Sequence, residues 1–150
     1  MYFIYFSVLN DTTLWVVGGE DRSNYLKSTE FVFLDTVLSI PGPELPFSLS
    51  GHCMVQVDSE SVYIIGGRQN ETTSNQTWIV NVLNFGIREG PKLNVSRSGH
   101  SCGKMYMNGR PVIVTAGGYS DYRWMGQTLD SVEILDPASN KGWIFGKHPH

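Results

Sequence analysis

No run of Lys or Arg occurs in this sequence. Its 11 basic and 14 acidic residues leave a net charge of −3, thinly spread over 150 positions. A protein that neutralises phosphates needs a basic stripe, so neither nucleic acid nor an anionic membrane surface is an expected partner. Long apolar runs are missing as well. No segment reaches the roughly 18 residues that a helix needs to cross a bilayer, and no membrane insertion is expected. The apolar start, Met1 to Leu9, has no basic flank and no small-residue cleavage site, and reads as a strand rather than a signal peptide. Cysteine is scarce: Cys53 and Cys102 form no CxxC and no spaced Cys/His set, which argues against zinc. There is no G-x-G-x-x-G and no P-loop to cradle a phosphate, no nucleophile elbow and no clustered carboxylates. These gaps point away from an enzyme, from a metal site and from a cofactor.

Glycine, by contrast, is patterned. Gly18-Gly19, Gly66-Gly67 and Gly117-Gly118 each close an apolar run, and the pairs are spaced by 48 and then 51 residues. A second landmark shares the period. The segment from Gly42 to His52 (GPELPFSLSGH) lies without gaps on the segment from Gly90 to His100 (GPKLNVSRSGH), matching at seven of eleven places, again 48 apart. Two landmarks with one period near 50 residues mean an array of supersecondary units.

One unit can be read in full. Cys53 to Val57 is a strand, Asp58-Ser59-Glu60 turns it, and Val62 to Ile65 is apolar at every position. Such a strand is buried on both faces, as when its sheet is packed between two others. After Gly66-Gly67 a polar loop, Arg68 to Asn75, leads to a third strand, Thr77 to Val82, and a short outer strand near Phe85 to Arg88 precedes the next Gly-Pro. The third unit keeps this order: His100 to Met107, the hairpin turn Asn108-Gly109, Val112 to Ala116, Ser131 to Asp136 and Gly142 to Phe145. Ile65 and Val16, each in the apolar run before a glycine pair, are expected to be buried between units. Ile4 stands where His52 and His100 stand in the other units, and the recurrence of those histidines speaks for architecture rather than chemistry. His148 and His150 are terminal and carry no assigned role.

The strand ending in Gly-Gly, the later strand rich in Val, Glu and aromatics, the outer-strand Trp143 and the Gly-Pro-x-Leu link together resemble the kelch repeat. Ser39 and Ile87 stand where the other two units would carry that Trp. The resemblance implies an all-β fold, a partial kelch-type β-propeller of about three four-stranded antiparallel blades, at about 2–41, 50–89 and 98–146. Kelch propellers close with about six blades. The chain is therefore expected to need the remaining blades, as a fragment of a longer product, or a second chain to complete a ring.

The resemblance also implies a function: binding a protein partner's loop or peptide on one face of the disc. By strand connectivity, the loops after the glycine pairs and the links between units emerge on the same face. That places Glu20, Asp21, Arg22, Ser48, Arg68, Asn70, Ser96, Arg97, Tyr119, Asp121, Tyr122 and Trp124 there, and Arg, Tyr and Trp are the types enriched at binding hot spots. Any one of them can equally be a solvated loop residue. Two settings stand open: an intracellular adaptor presenting substrates to a cullin-type ubiquitin ligase, or a glycosylated extracellular module. A galactose-oxidase-type copper enzyme is the alternative of another class, but no Tyr, Cys and His constellation can be placed for it.

Four sequons, at Asn10, Asn70, Asn75 and Asn94, all fall in predicted loops and weakly favour the extracellular setting. Cys53 lies one residue past its repeat histidine and Cys102 two past, so they point to opposite faces of their strands. Opposite faces of neighbouring units are the ones that meet. The two are thus expected to approach each other, as a disulfide in an oxidising compartment or as buried thiols in a reducing one.

Overall fold

The computed structural model describes residues 5–22, 24–70, 72–120 and 126–146, and among them the chain is all β. Each repeat forms one four-stranded antiparallel sheet. In the first, β1 (Phe6–Asn10) and β2 (Thr13–Val17) make a hairpin, a two-stranded ribbon of β3 (Glu20–Asp21) and β4 (Asn24–Tyr25) follows the glycine pair, and β5 (Thr29–Phe33) and β6 (Leu38–Pro41) complete the order β1-β2-β5-β6. The second repeats this plan with β7 (Cys53–Gln56), β8 (Ser61–Ile65), the ribbon β9 (Arg68–Gln69) and β10 (Thr72–Thr73), then β11 (Thr77–Asn81) and β12 (Ile87–Glu89). The third is β13 (Ser101–Met107), β14 (Arg110–Ala116), β15 (Val132–Leu135) and β16 (Ile144–Phe145).

The middle sheet is covered on both sides, as its unbroken apolar strand requires. Val62, Ile64 and Val80 face the first sheet and join Trp15, Val17, Leu45 and Leu49 in one core. Tyr63, Ile65 and Ile79 face the third sheet and join Leu93, Ile113, Leu135 and Trp143 in another. Val62, Ile64 and Ile65 are fully buried, and at about 25 cal/mol per Å² such side chains contribute the largest share of the packing energy. The first sheet differs. Val17 and Trp15 are buried against its neighbour, but Val16 points to the other face and is only half-buried, contrary to expectation. Side chains alternate along a strand, and among the described residues no sheet covers that face.

Two further expectations shift. The segments after the first two glycine pairs are not loose loops but ribbons, turning through Arg22 (φ 56°) and Asn70 (φ 47°). The outer strand of the second sheet begins at Ile87, because Phe85 (φ 56°) leaves the sheet to pack its ring on Trp15 and Phe31, at 5.9 and 5.5 Å between centroids.

Candidate functional site

The glycine pairs gather the ribbons and links at one end of the molecule. Gly66 and Gly67 hold φ of 61° and 91°, a backbone that an L side chain adopts only with strain. The same two positions meet the flanking links at close range: a Cβ on Gly66 would stand 2.5 Å from the Arg97 carbonyl oxygen of the following link, and one on Gly67 2.8 Å from the Ser50 carbonyl oxygen of the preceding link, so both links can run across the sheet only over glycine. Backbone bonds then lock the parts together. Arg68 N donates to Ser50 O at 2.7 Å, Gly67 N to Arg97 O at 2.9 Å, and Tyr119 N to Ser98 O at 2.9 Å. Each link is also tied to the segment ahead of its own sheet's third strand, as Leu49 N donates to Leu26 O and Arg97 N to Ser74 O. The result is a hydrogen-bonded ledge spanning all three repeats.

On this ledge the predicted face residues separate. Arg22 and Asn70 are exposed, Tyr119 is 49% exposed, and Glu20, Asp21, Ser48 and Ser96 are half-buried. Arg68 is half-buried, with Nε donating to Ser98 Oγ at 3.1 Å, and Ser96 Oγ donates to Ser120 O at 3.4 Å. Asp121, Tyr122 and Trp124 lie outside the described residues. Arg97 does not belong to the face. It is 0% exposed, and its guanidinium turns inward to Glu133, also 0% exposed, at 2.9 Å, with further bonds to Gly117 O, Ser131 O and Ser131 Oγ. A guanidinium is buried only where its charge is matched; the Glu133 carboxylate supplies the opposite charge and both terminal nitrogens find acceptors, while Nε has no partner among the described residues.

Glu133 is the anchor that sequence reading missed. Its Oε1 accepts from Arg97 and Val95 N, and its Oε2 from Asn94 N and Asn94 Nδ2. For Arg97, though not for Glu133, the repeat itself carried a signal. Leu49 occupies the place of Arg97 in the preceding link, and a site that holds a buried Leu in one unit faces the core in the next.

No protein-family model matches this sequence, and no curated protein matches it.

At the inner strands the third feature appears. β7 lies beside both β1 and β13. Cys53 and Cys102 are joined as a disulfide across the second pair, with Cα atoms 6.0 Å apart. A cleft along these strands is lined by Tyr5, His52, His100 and the disulfide. Burial, with a smaller contribution from His100, pushes His52 down from 6.5 to about 3. Burial and then the Arg97 charge push His100 down to about 4, partly offset by the Ile65 backbone. Both imidazoles are therefore neutral at physiological pH. Among the described residues no three of His, Cys, Asp or Glu come together where they could hold a metal ion.

Proposed function

We propose that this chain contributes three blades to a kelch-type β-propeller that binds a protein partner across its ledge of ribbons and links, outside the reducing cytosol. The observation that carries the binding reading is the ledge. Hydrogen-bonded links hold it rigid, and it presents Arg22, Arg68 and Tyr119 along one end of three repeated sheets. Rigid display lowers the ordering cost of association, and Arg and Tyr are frequent anchors of interfaces. The Cys53–Cys102 disulfide supports the setting, because such bonds persist in oxidising compartments. That favours the glycosylated extracellular version over a ubiquitin-ligase adaptor.

Further blades, from the same product or a second chain, are proposed to cover the two outer faces. Phe6 and Val8 on the first sheet, and Met105 and Ile144 on the third, are each at least half exposed on such faces. Apolar surface of this kind marks a contact site. Size-exclusion chromatography with light scattering should show the chain associating, and a stable, cooperative monomer would count against this part. Binding is tested with a partner captured from secreted and cell-surface proteins. Arg22→Ala, Arg68→Ala and Tyr119→Ala should each weaken it about 5-fold or more, whereas Glu60→Ala, in the β7–β8 turn at the opposite end, should change it less than about 2-fold. Equal effects at both ends would refute the assignment.

A further inference from the structure

The four sequons are alike in sequence but not in what the fold does with their amides. N-glycosylation is a transfer to one atom, the Asn Nδ2. The C1–O bond of a lipid pyrophosphate-linked oligosaccharide breaks, C1 bonds to Nδ2, one N–H proton leaves, and a single N–H remains. An asparagine that uses both of its amide hydrogens in the folded state cannot keep both once it is glycosylated.

Asn94 uses both. Its Nδ2 donates to Glu133 Oε2 at 2.9 Å and to Trp143 O at 2.8 Å. A sugar there would remove one of these bonds, and one of the two acceptors at stake is the carboxylate of Glu133, which is wholly buried. Losing a partner of a buried charge is among the costlier changes a fold can suffer. Asn10 is the opposite case. Like Asn94 it is exposed, but at the end of β1 the fold uses its oxygen rather than its nitrogen: Oδ1 accepts from Thr12 N at 3.0 Å and from Thr12 Oγ1 at 3.3 Å. Asn70 is exposed in the turn of the β9–β10 ribbon, and among the described residues no hydrogen bond uses its Nδ2. Asn75 stands between these cases, with one amide hydrogen on Leu93 O at 3.2 Å.

We infer that Asn10 and Asn70 are the glycan-bearing sites of this chain, and that Asn94 stays bare because its amide is a structural donor to Glu133 and Trp143. The inference rests on the oxidising, secretory setting proposed above. It places one glycan at the β1–β2 turn and the other at the ledge, two residues from Arg68, so that the second sugar bounds the binding face on that side.

The test expresses the full chain behind a secretory leader in animal cells and removes glycans with peptide N-glycosidase in heavy-oxygen water, which marks each formerly glycosylated Asn as a labelled Asp. Peptide mapping should find the label at Asn10 and Asn70 and none at Asn94. Label at Asn94 in secreted protein, or its absence from either Asn10 or Asn70, overturns the inference. A non-reducing map of the same sample reads the setting separately. Labelled Asn10 and Asn70 without a Cys53–Cys102 peptide would sink the oxidising-compartment reading and leave the site assignment standing, and the converse would do the reverse. Asn10→Gln and Asn70→Gln should each speed gel migration by one glycan with little change in Tm, while Asn94→Gln should leave migration unchanged and lower Tm. The wild-type map decides the matter even if Asn94→Gln does not fold.

Discussion

The two junctions between sheets occupy equivalent places in the repeat and are built from different chemistry. In the first, whose link carries Pro46, Phe47 and Leu49, the Phe47 ring stacks on Trp78 of β11 at 4.7 Å between centroids, and both rings pack against the core that holds Leu49. In the second, the residues 48 positions later are Asn94, Val95 and Arg97, and the strand residue that faces them is Glu133. Trp78 pairs with Ile64 and Glu133 with Thr115, each the second residue before a glycine pair, so the two slots correspond. Proline has no N–H, so the first slot needs no acceptor at Pro46; Asn94 has one, and Glu133 supplies the acceptor. One geometry is thus satisfied either by removing donors and filling with rings, or by keeping donors and burying a matched charge pair. The second junction also has the disulfide, and Trp143 Nε1 donates to Pro91 O at 3.0 Å, a bond with no counterpart at Ser39 or Ile87.

If the slots are equivalent, they can be exchanged. Arg97→Leu alone should cost about 3–5 kcal/mol by urea unfolding, because it strands a buried carboxylate. Adding Asn94→Pro, Val95→Phe and Glu133→Trp, which copies the first slot, should recover part of that loss; a fourfold variant weaker than the single one would break the equivalence. Ile64→Ala strikes the first junction and Ile65→Ala the second, and each should cost about 2–5 kcal/mol. Their coupling should differ. Ile65 is the register partner of Cys53, so its loss should be non-additive with loss of the disulfide, whereas that of Ile64 should add. Replacing both cysteines by Ala should cost about 2–4 kcal/mol, and a reducing agent should weaken the wild type alone.

The smallest effect is that of pH. His52 and His100 bind protons less readily when folded, at about 3 and about 4, than at their ordinary 6.5. Unfolding therefore takes up protons on acidification; the stability is fully present above pH 6.5 and is lost as pH falls toward those lower values. From pH 7 to 6 the loss should be about 1 kcal/mol. His52→Phe, which keeps a ring beside Tyr5 in the first junction, should reduce this slope, and an unchanged slope would show that the imidazole is not the source.

Three sheets with links between them were legible because glycine pairs and the Gly-Pro-x-Leu segment mark places where backbone crosses backbone, and only a few residue types fit there. The ribbons were not, since a two-residue strand such as Arg68–Gln69 leaves no periodicity to read. Arg97 was misplaced for a physical reason. An arginine belongs at a surface unless something distant neutralises it, and its partner lies 36 residues further on, in a strand whose apolar neighbours gave no hint of a buried carboxylate. The cysteine pairing was accessible because alternation along a strand fixes which side each thiol takes.

The disulfide makes a closed covalent loop of residues 53 to 102, and that loop contains the whole middle sheet. Mechanical tension applied along the chain would enter at Cys53 and leave at Cys102 through the two sulfurs, bypassing every residue between them. Stretching could peel away the first and third sheets, while the middle sheet, shunted out of the line of force, would carry no load until the bond was cut.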